Sequence, residues 1–247
     1  MRRRSGIRLL ALPILLALAI LPGCKSGNLV SQDQEIDIGR QASRDIERQY
    51  PVSKDQRLNA LVNEIGQNMA ARSDRPSLQY TFKVLDIKDA NAVSLPGGWV
   101  YIYSGLFDLM GGPGNVNKDQ LAGVIAHEVG HITARHAAEQ MSRSTLYGIG
   151  IGVLTKGNTA QYANIAANLT LLRWSRKDEY EADKLGIKYT SGSQYNPQGL
   201  VDFLKALQAK SGNGSKALAF LRTHPVTTER IDRAQNYVNQ FKSGASP

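Results

Sequence analysis

The stretch His127-Glu128-Val129-Gly130-His131 places two histidines four positions apart, with a glutamate directly after the first. On an α-helix these histidines project from one face, one turn apart, so that both imidazoles reach a single metal ion. Glu128 points to the side, where its carboxylate accepts a proton from a water that the metal activates. The pattern therefore predicts a zinc site on a helix, with Glu128 as a general base.

The residues before this motif predict that it lies in the middle of a helix. Asn117 is a candidate N-cap with Gln120 three residues later, and apolar residues then recur at helical spacing up to the motif. Gly130 costs a helix about 1 kcal/mol relative to alanine. A residue without a side chain lets another backbone approach this position, although flexibility or chance explains the glycine equally well.

The third metal ligand distinguishes the classes of zinc peptidase. A metzincin requires a further histidine six residues after His131 and a glycine three residues after it, but both positions are alanine, and His136 points off the ligand face. The alternative is a glutamate from a second helix. Glu179 and Asp183 are four residues apart on a predicted helix. Either one carboxylate binds the metal and the other orients a ligand histidine, or both belong to a solvated charged surface.

Three further motifs accompany the histidine motif in a fixed order. They are Asn91-Ala92-Val93-Ser94-Leu95-Pro96-Gly97-Gly98, then Ser175-Arg176 with Glu179-x-x-Ala182-Asp183, then His224-Pro225 with Thr227 and Arg230-Ile231. Together with Arg135-His136 they resemble the gluzincin peptidase family of HtpX, the CAAX prenyl protease and the mitochondrial Oma-type proteases. The chain is most similar to the bacterial periplasmic lipoprotein branch of that family. The resemblance covers residues 91 to about 231, and Val93-Ser94 replaces the more usual Phe-Ala pair.

The resemblance implies a role for each site residue. His127, His131 and Glu179 are expected to bind one zinc ion per chain, with Glu128 as the catalytic base. Asp183 is expected to hold a ligand histidine in place from outside the ligand set.

His224 is expected near the metal, either stabilising the transition state or acting as an extra ligand that blocks the water. We take the stabilising role as the expectation, because a blocking loop must move and nothing in residues 219–222 indicates mobility. The strand ending near Asn91 and Ala92 is expected to receive the substrate as an added β-strand.

Composition and charge are those of an ordinary globular protein. The chain has 247 residues, 42% of them hydrophobic, which is enough for one sizeable core. Its formal net charge of +9 includes four arginines within the first eight residues. The remaining basic residues are scattered and no aromatic–basic platform is present, so a nucleic-acid partner is not expected. Attraction to an anionic lipid surface is the milder inference.

The N-terminal residues predict export and a lipid anchor. A basic start precedes an apolar run over residues 9–21, which is too short for a membrane span. Leu21-Pro22-Gly23-Cys24 resembles a bacterial lipobox, although proline is unusual there, and Cys24 is the single cysteine of the chain. Residues 1–23 are therefore expected to be a signal peptide, with a lipid on Cys24. Lys25, in place of an aspartate, favours the outer membrane by resemblance to lipoprotein sorting.

The rest of the chain predicts an α+β fold. Residues 24–30 are a tether, residues 31–241 one mostly helical zincin-type metallopeptidase domain with a small β-sheet beside the active-site helix, and residues 242–247 a tail. Strands are predicted at residues 78–87 and 98–104. Helices are predicted at residues 31–49, 55–72, 160–174, 176–189, 196–210 and 228–241, besides the one that carries the histidine motif.

The combined expectation is a zinc endopeptidase that cleaves misfolded or unfolded proteins of the bacterial cell envelope. Backbone pairing tolerates any sequence, so the substrate must be extended, and outer-membrane assembly factors are the expected partners. The alternative is a chaperone-like or scaffold lipoprotein with a structural zinc, which would not need Glu128. A third possibility is a latent protease in which His224 occupies the fourth coordination position of the metal.

Overall fold

The computed structural model describes residues 29–146, 172–210 and 218–244, and every structural statement refers to these ranges. They contain the helices α1 (Gln32–Gln49), α2 (Gln56–Ala71), α3 (Lys118–Thr133), α4 (His136–Leu146), α5 (Arg176–Ser191), α6 (Gln198–Lys210), α7 (Leu218–Thr223) and α8 (Thr228–Lys242). The strands are β1 (Thr81–Leu85), β2 (Ala92–Leu95) and β3 (Trp99–Tyr103), followed by a 3₁₀ helix (Ser104–Leu109). The predicted signal peptide, Cys24 and most of the predicted helix 160–174 lie outside the described residues.

Side-chain caps determine where the helices begin. Ser31 and Gln34 form a reciprocal capping box at α1, with Ser31 N–H donating to Gln34 Oε1 at 2.8 Å. Asn117 Oδ1 accepts the Gln120 N–H at 3.1 Å and starts α3, as predicted. Because these contacts are local in sequence, the residues themselves fix the position of the histidine motif, ten residues into α3.

The sheet has the order β1-β3-β2, with β1 parallel and β2 antiparallel to β3. The expectation of a strand ending near Asn91 and Ala92 was wrong, because a strand begins at Ala92 instead. Residues 86–89, three of them charged, lead the chain out of β1, and the Tyr103 N–H donates to the Asn91 carbonyl at 3.0 Å, where β2 starts to pair with β3. As the third strand in the order, β2 forms one edge of the sheet.

Helix α3 lies at the centre of the domain. All residues from Leu121 to Ile132 are buried, so this helix is apolar on every side except at the histidine motif. It packs against α2, α5, α6 and the sheet. This arrangement confirms the predicted α+β fold, mostly helical with a small sheet beside the active-site helix. None of the helices in the described ranges has the length and apolar character needed to cross a membrane.

Helices α3 and α5 approach each other closely through one glycine on each helix. A Cβ atom on Gly130 would lie 2.8 Å from the Ala182 carbonyl oxygen of α5, and a Cβ atom on Gly186 would lie 2.9 Å from the His127 nitrogen. Both distances are shorter than any tolerated carbon contact. The suggestion that Gly130 admits another backbone is therefore confirmed, and the contact brings α5 against the histidine motif itself.

The turn after α3 was not predicted. The helix ends at Thr133, Arg135 adopts a left-handed conformation with φ of 62°, and α4 starts at His136. The prediction of a helix over residues 160–174 was wrong at its C-terminal end, because residues 172–175 are not helical. There the Trp174 N–H donates to the Thr223 carbonyl at 3.2 Å, and Ser175 already caps α5.

A buried charge cluster ties α1 to the end of α3. Glu35 on α1 is 1% exposed and accepts from Arg75 at 2.9 Å and from Arg135 at 3.1 Å. Arg75 also donates to the Ile132 carbonyl at 3.1 Å, and Arg135 to the Val30 carbonyl at 2.6 Å. The cluster satisfies a carbonyl at the C-terminal end of α3 and holds the first described residues on the domain.

The close approach of α3 and α5 leads to a testable prediction. Replacement of Gly186 by valine forces the two helices apart, and we expect it to lower the free energy of unfolding by about 1–3 kcal/mol. Chemical denaturation of the metal-free protein measures this change.

Gly114→Ala is the matched control, because no atom lies within 4 Å of a Cβ atom at Gly114. It should leave stability nearly unchanged. A Gly186→Val variant as stable as the wild type would show that the helices are not held at this distance by the glycine.

Candidate metal centre

Four buried side chains meet at the histidine motif. His127 and His131 come from α3, Glu179 from the first turn of α5, and His224 from the residue after α7. One ligand atom from each lies within 4.8 Å of the others, and no side chain of the four is more than 2% exposed. The structure thus brings together the three predicted ligands and the predicted neighbour.

The spacing of these donor atoms fits a zinc ion. Four donors about 2.0–2.1 Å from zinc at tetrahedral corners lie about 3.3 Å from one another. The Nε2 atoms of His127 and His131 are 3.1 Å apart, and His127 Nε2 is 3.3 Å from His224 Nδ1. Glu179 Oε1 lies 3.4 Å from His131 Nε2 and 3.0 Å from His224 Nδ1. Imidazole and carboxylate donors at this spacing are a ligand set that zinc prefers.

Glu128 lies beside this ligand set and is fully buried. Neither of its carboxylate oxygens has a hydrogen-bond partner among the described residues. His224 Nε2 lies 3.4 Å from its Oε1 atom. A buried carboxylate without a partner is costly, so its position indicates that it faces a bound water or substrate.

Asp183 lies against His127, with its Oδ1 atom 2.8 Å from His127 Nδ1, the place expected for a carboxylate that orients this ring. Arg230, to which the motif assigned no role, holds this carboxylate in a bidentate contact at 2.7 and 2.8 Å. The same guanidinium contacts Glu179. The signal for this role was present in the Arg230-Ile231 motif, but only the fold shows which acids the arginine meets.

The cation of Arg230 keeps the two acids ionised. Burial alone would raise the pKa of Glu179, but Arg230 and His224 lower it further than burial raises it. Arg230 and His127 lower the pKa of Asp183 in the same way against its burial. Burial lowers the pKa of His131 well below its usual value, which leaves the neutral imidazole that a metal ligand requires.

Two aromatic residues surround His131. The Trp174 indole stacks on the His131 ring, with the ring centroids 4.5 Å apart. His136 lies on the other nitrogen of His131, with the two Nδ1 atoms 2.9 Å apart. His136 is not part of the donor group, and the left-handed turn at Arg135, rather than a place on a continuous helix, determines its position.

His224 contributes the fourth donor atom of this group. Its Nδ1 atom belongs to the donor cluster, and its ring stacks on Phe220 of α7 with the centroids 4.6 Å apart. Thr223, the residue before it, donates to Asn91 Oδ1 at 3.4 Å. Asn91 therefore supports the segment that carries His224.

A narrow cleft, partly open to solvent, connects β2 with Glu128 and His224. Ala92 and its two successors line this cleft, and Leu172 and Trp174 lie on its other side. The edge strand β2 therefore runs alongside the candidate base, which is the place where an added substrate strand is expected.

Comparison with known proteins agrees with this geometry. The chain is 30% identical over 233 residues to the beta-barrel assembly-enhancing protease of Yersinia pestis, which covers 89% of the chain and 47% of that relative. It is 30% identical over 180 residues to the mitochondrial metalloendopeptidase OMA1 of Schizosaccharomyces pombe, covering 72% of the chain and 52% of that relative. It is also 30% identical over 172 residues to the metalloprotease YcaL of Escherichia coli, covering 66% of the chain and 63% of YcaL.

The chain thus spans about half the length of the first two relatives. The model of peptidase family M48 matches residues 56–238, a stretch that begins at α2 and contains both histidines of the motif, Glu179, His224 and Arg230. The predicted resemblance is confirmed over more than the residues that first suggested it, and the chain belongs to peptidase family M48.

Proposed function

We propose that this protein is a zinc-dependent endopeptidase. The observation that carries the proposal is the buried Glu128 carboxylate, which accepts no hydrogen bond from the described residues and lies beside four donor atoms at zinc spacing. A structural metal site alone gives no reason to bury a carboxylate without a hydrogen bond next to the ligands. A catalytic site requires that carboxylate as a proton acceptor.

His127, His131 and Glu179 would hold the zinc ion, which lowers the pKa of a water and polarises the peptide carbonyl. Glu128 accepts the proton of the attacking water and returns it to the amine that leaves. Its burial keeps bulk water away, so that the carboxylate exchanges this proton with the reactants. Asp183 and Arg230 keep the His127 ring and the Glu179 carboxylate in fixed positions throughout.

The substrate is proposed to bind along β2 as an extended strand. Support comes from the position of β2 at the sheet edge and from the cleft that joins Ala92 to Glu128. Backbone pairing selects for extended chain rather than for sequence. Unfolded or misfolded proteins of the cell envelope are therefore the proposed substrates. The name of the Yersinia pestis relative suggests β-barrel assembly as the setting.

One observation favours a second candidate, a scaffold with a structural zinc. Structural zinc sites are closed by four protein ligands, and His224 supplies a fourth donor here. The same geometry describes a protease at rest, in which His224 blocks the position that the water needs. The sequence favoured the stabilising role for His224, whereas its Nδ1 position supports the blocking role, and we adopt that role in this proposal.

Replacement of Glu128 by glutamine tests the catalytic proposal. The ligands remain, so we expect about one zinc per chain by metal analysis, while hydrolysis of an unfolded model protein falls at least ~10²-fold. Glu64→Gln, an exposed site on α2, is the matched control and should keep full activity. Undiminished turnover of the Glu128→Gln protein would contradict the proposed role of Glu128 as the proton acceptor.

Replacement of His224 by alanine separates the blocking role from the others. Loss of a blocking ligand frees a coordination position of the zinc for water. We therefore expect peptide hydrolysis to rise while zinc stays bound through the other three ligands. The rate of cleavage of a short unstructured peptide measures this change. A fall of roughly 10²–10³-fold would instead establish the stabilising role. Activity equal to the wild type would reject both roles.

The lipid anchor remains a separate proposal, resting on Leu21-Pro22-Gly23-Cys24. Replacement of Cys24 by serine removes the only thiol of the chain and with it the proposed site of acylation. We expect the wild-type protein to take up a labelled fatty acid and fractionate with the outer membrane, and the variant to be unlabelled and released from it. A wild-type protein that carries no label would contradict the proposal.

A further inference from the structure

The contact between His131 and His136 determines which ring nitrogen of each histidine carries a proton. The two Nδ1 atoms are 2.9 Å apart, so one nitrogen must carry a hydrogen and the other a lone pair. His131 Nε2 faces the donor cluster and needs its lone pair for the metal. The proton of the neutral His131 ring is therefore on Nδ1, which donates to Nδ1 of His136. That places the single proton of a neutral His136 ring on its Nε2 atom.

The surroundings of His136 independently favour this arrangement. Its Nε2 atom lies 3.6 Å from Glu181 Oε2 and 4.0 Å from Asp178 Oδ1, both on α5. Two carboxylates attract an N–H group and repel a lone pair. The acids thus keep the proton on Nε2, and the Nδ1 lone pair stays directed at His131. His136 itself is 3% exposed, so water does not compete for either nitrogen.

We infer that His136 is a positioning residue for the metal, which fixes the tautomer and ring orientation of His131 by accepting its Nδ1 proton. The inference rests on the proposed zinc site and deepens it. It gives each ligand histidine its own acceptor: the Asp183 carboxylate for His127 and the His136 imidazole for His131. Acceptors of this kind commonly account for 10–100-fold of metal affinity.

The backbone explains how a residue so near His131 reaches its outer nitrogen. On a continuous helix, a residue five positions later points away from His131. Here α3 ends at Thr133, the left-handed Arg135 reverses the direction of the chain, and His136 begins α4 with its ring folded back on His131. Arg135 is the single non-glycine residue with positive φ in the described ranges, and its contacts to Glu35 and Val30 stabilise that conformation.

Three substitutions of His136 separate hydrogen bonding from packing. Asparagine places its amide oxygen close to the position of the lost Nδ1 atom and can accept the same proton. Glutamine carries its amide one bond farther out, nearer the acids of α5. Leucine fills the volume but accepts nothing. Zinc affinity is measured by competition with a chelator. The absorption spectrum of the cobalt-substituted protein reports ligand geometry, and thermal unfolding of the metal-free protein reports folding.

We expect His136→Leu to fold without metal but to bind zinc about 10–100-fold more weakly, with an altered cobalt spectrum. His136→Asn should keep affinity and spectrum close to the wild type, and His136→Gln should resemble the leucine variant. Wild-type affinity in His136→Leu would overturn the inference. So would an asparagine variant as weak as the glutamine variant, a comparison that decides even if the leucine variant does not fold. Wild-type protein without zinc affinity would instead overturn the proposed metal site, and this inference with it.

Discussion

The site depends on how closely α3 and α5 approach each other. The proposed metal ligands come from two helices, and their donor atoms must agree in position to within a few tenths of an ångström. Gly130 and Gly186 remove the side chains that would separate the helices, so backbone meets backbone beside His127. Side chains as short as those of Glu179 and Asp183 then reach the histidines without strain. The helix-weakening glycine within the motif is therefore a requirement of packing, which outweighs its intrinsic cost of about 1 kcal/mol.

The second constraint is charge balance in a dry interior. Glu179, Asp183 and Glu128 are all buried within one small region, and burying three carboxylates without compensation would be prohibitive. Arg230 balances two of them through direct contacts, while a metal ion would supply the remaining positive charge. Removing Arg230 alone would leave a buried, uncompensated pair, so the arginine and the acids must be considered as one unit. The metal-free protein thus keeps a partly balanced site, because one of its cations is a permanent part of the chain.

The features that could be predicted from the sequence are those that depend on residues close together in the chain. The spacing of His127 and His131, the caps at Ser31 and Asn117, and the pair formed by Glu179 and Asp183 all follow from helix geometry over a few residues. The partner of Asp183 did not follow, because Arg230 is distant in sequence and only the packing of α8 on α5 brings it there. The role of His136 was also missed, since the helix was assumed to continue through Arg135. A single residue with positive φ redirected the chain, and alanine or arginine at a helix end gives no sequence signal for it.

The bidentate contact between Arg230 and Asp183 also affects how the domain folds while the chain is synthesised from its N-terminus. Every proposed zinc donor except His224 is in the chain once α5 has been made, yet the cation that balances Glu179 and Asp183 is encoded 47 positions after Asp183. Until α8 emerges, the growing chain holds two acids that its interior cannot accept without a counter-charge. Closure of the core around α5 is therefore tied to completion of the domain. Burial of Glu179 and Asp183 therefore depends on α8, because a chain that ends before α8 would contain both acids but lack the Arg230 charge that allows them to be buried.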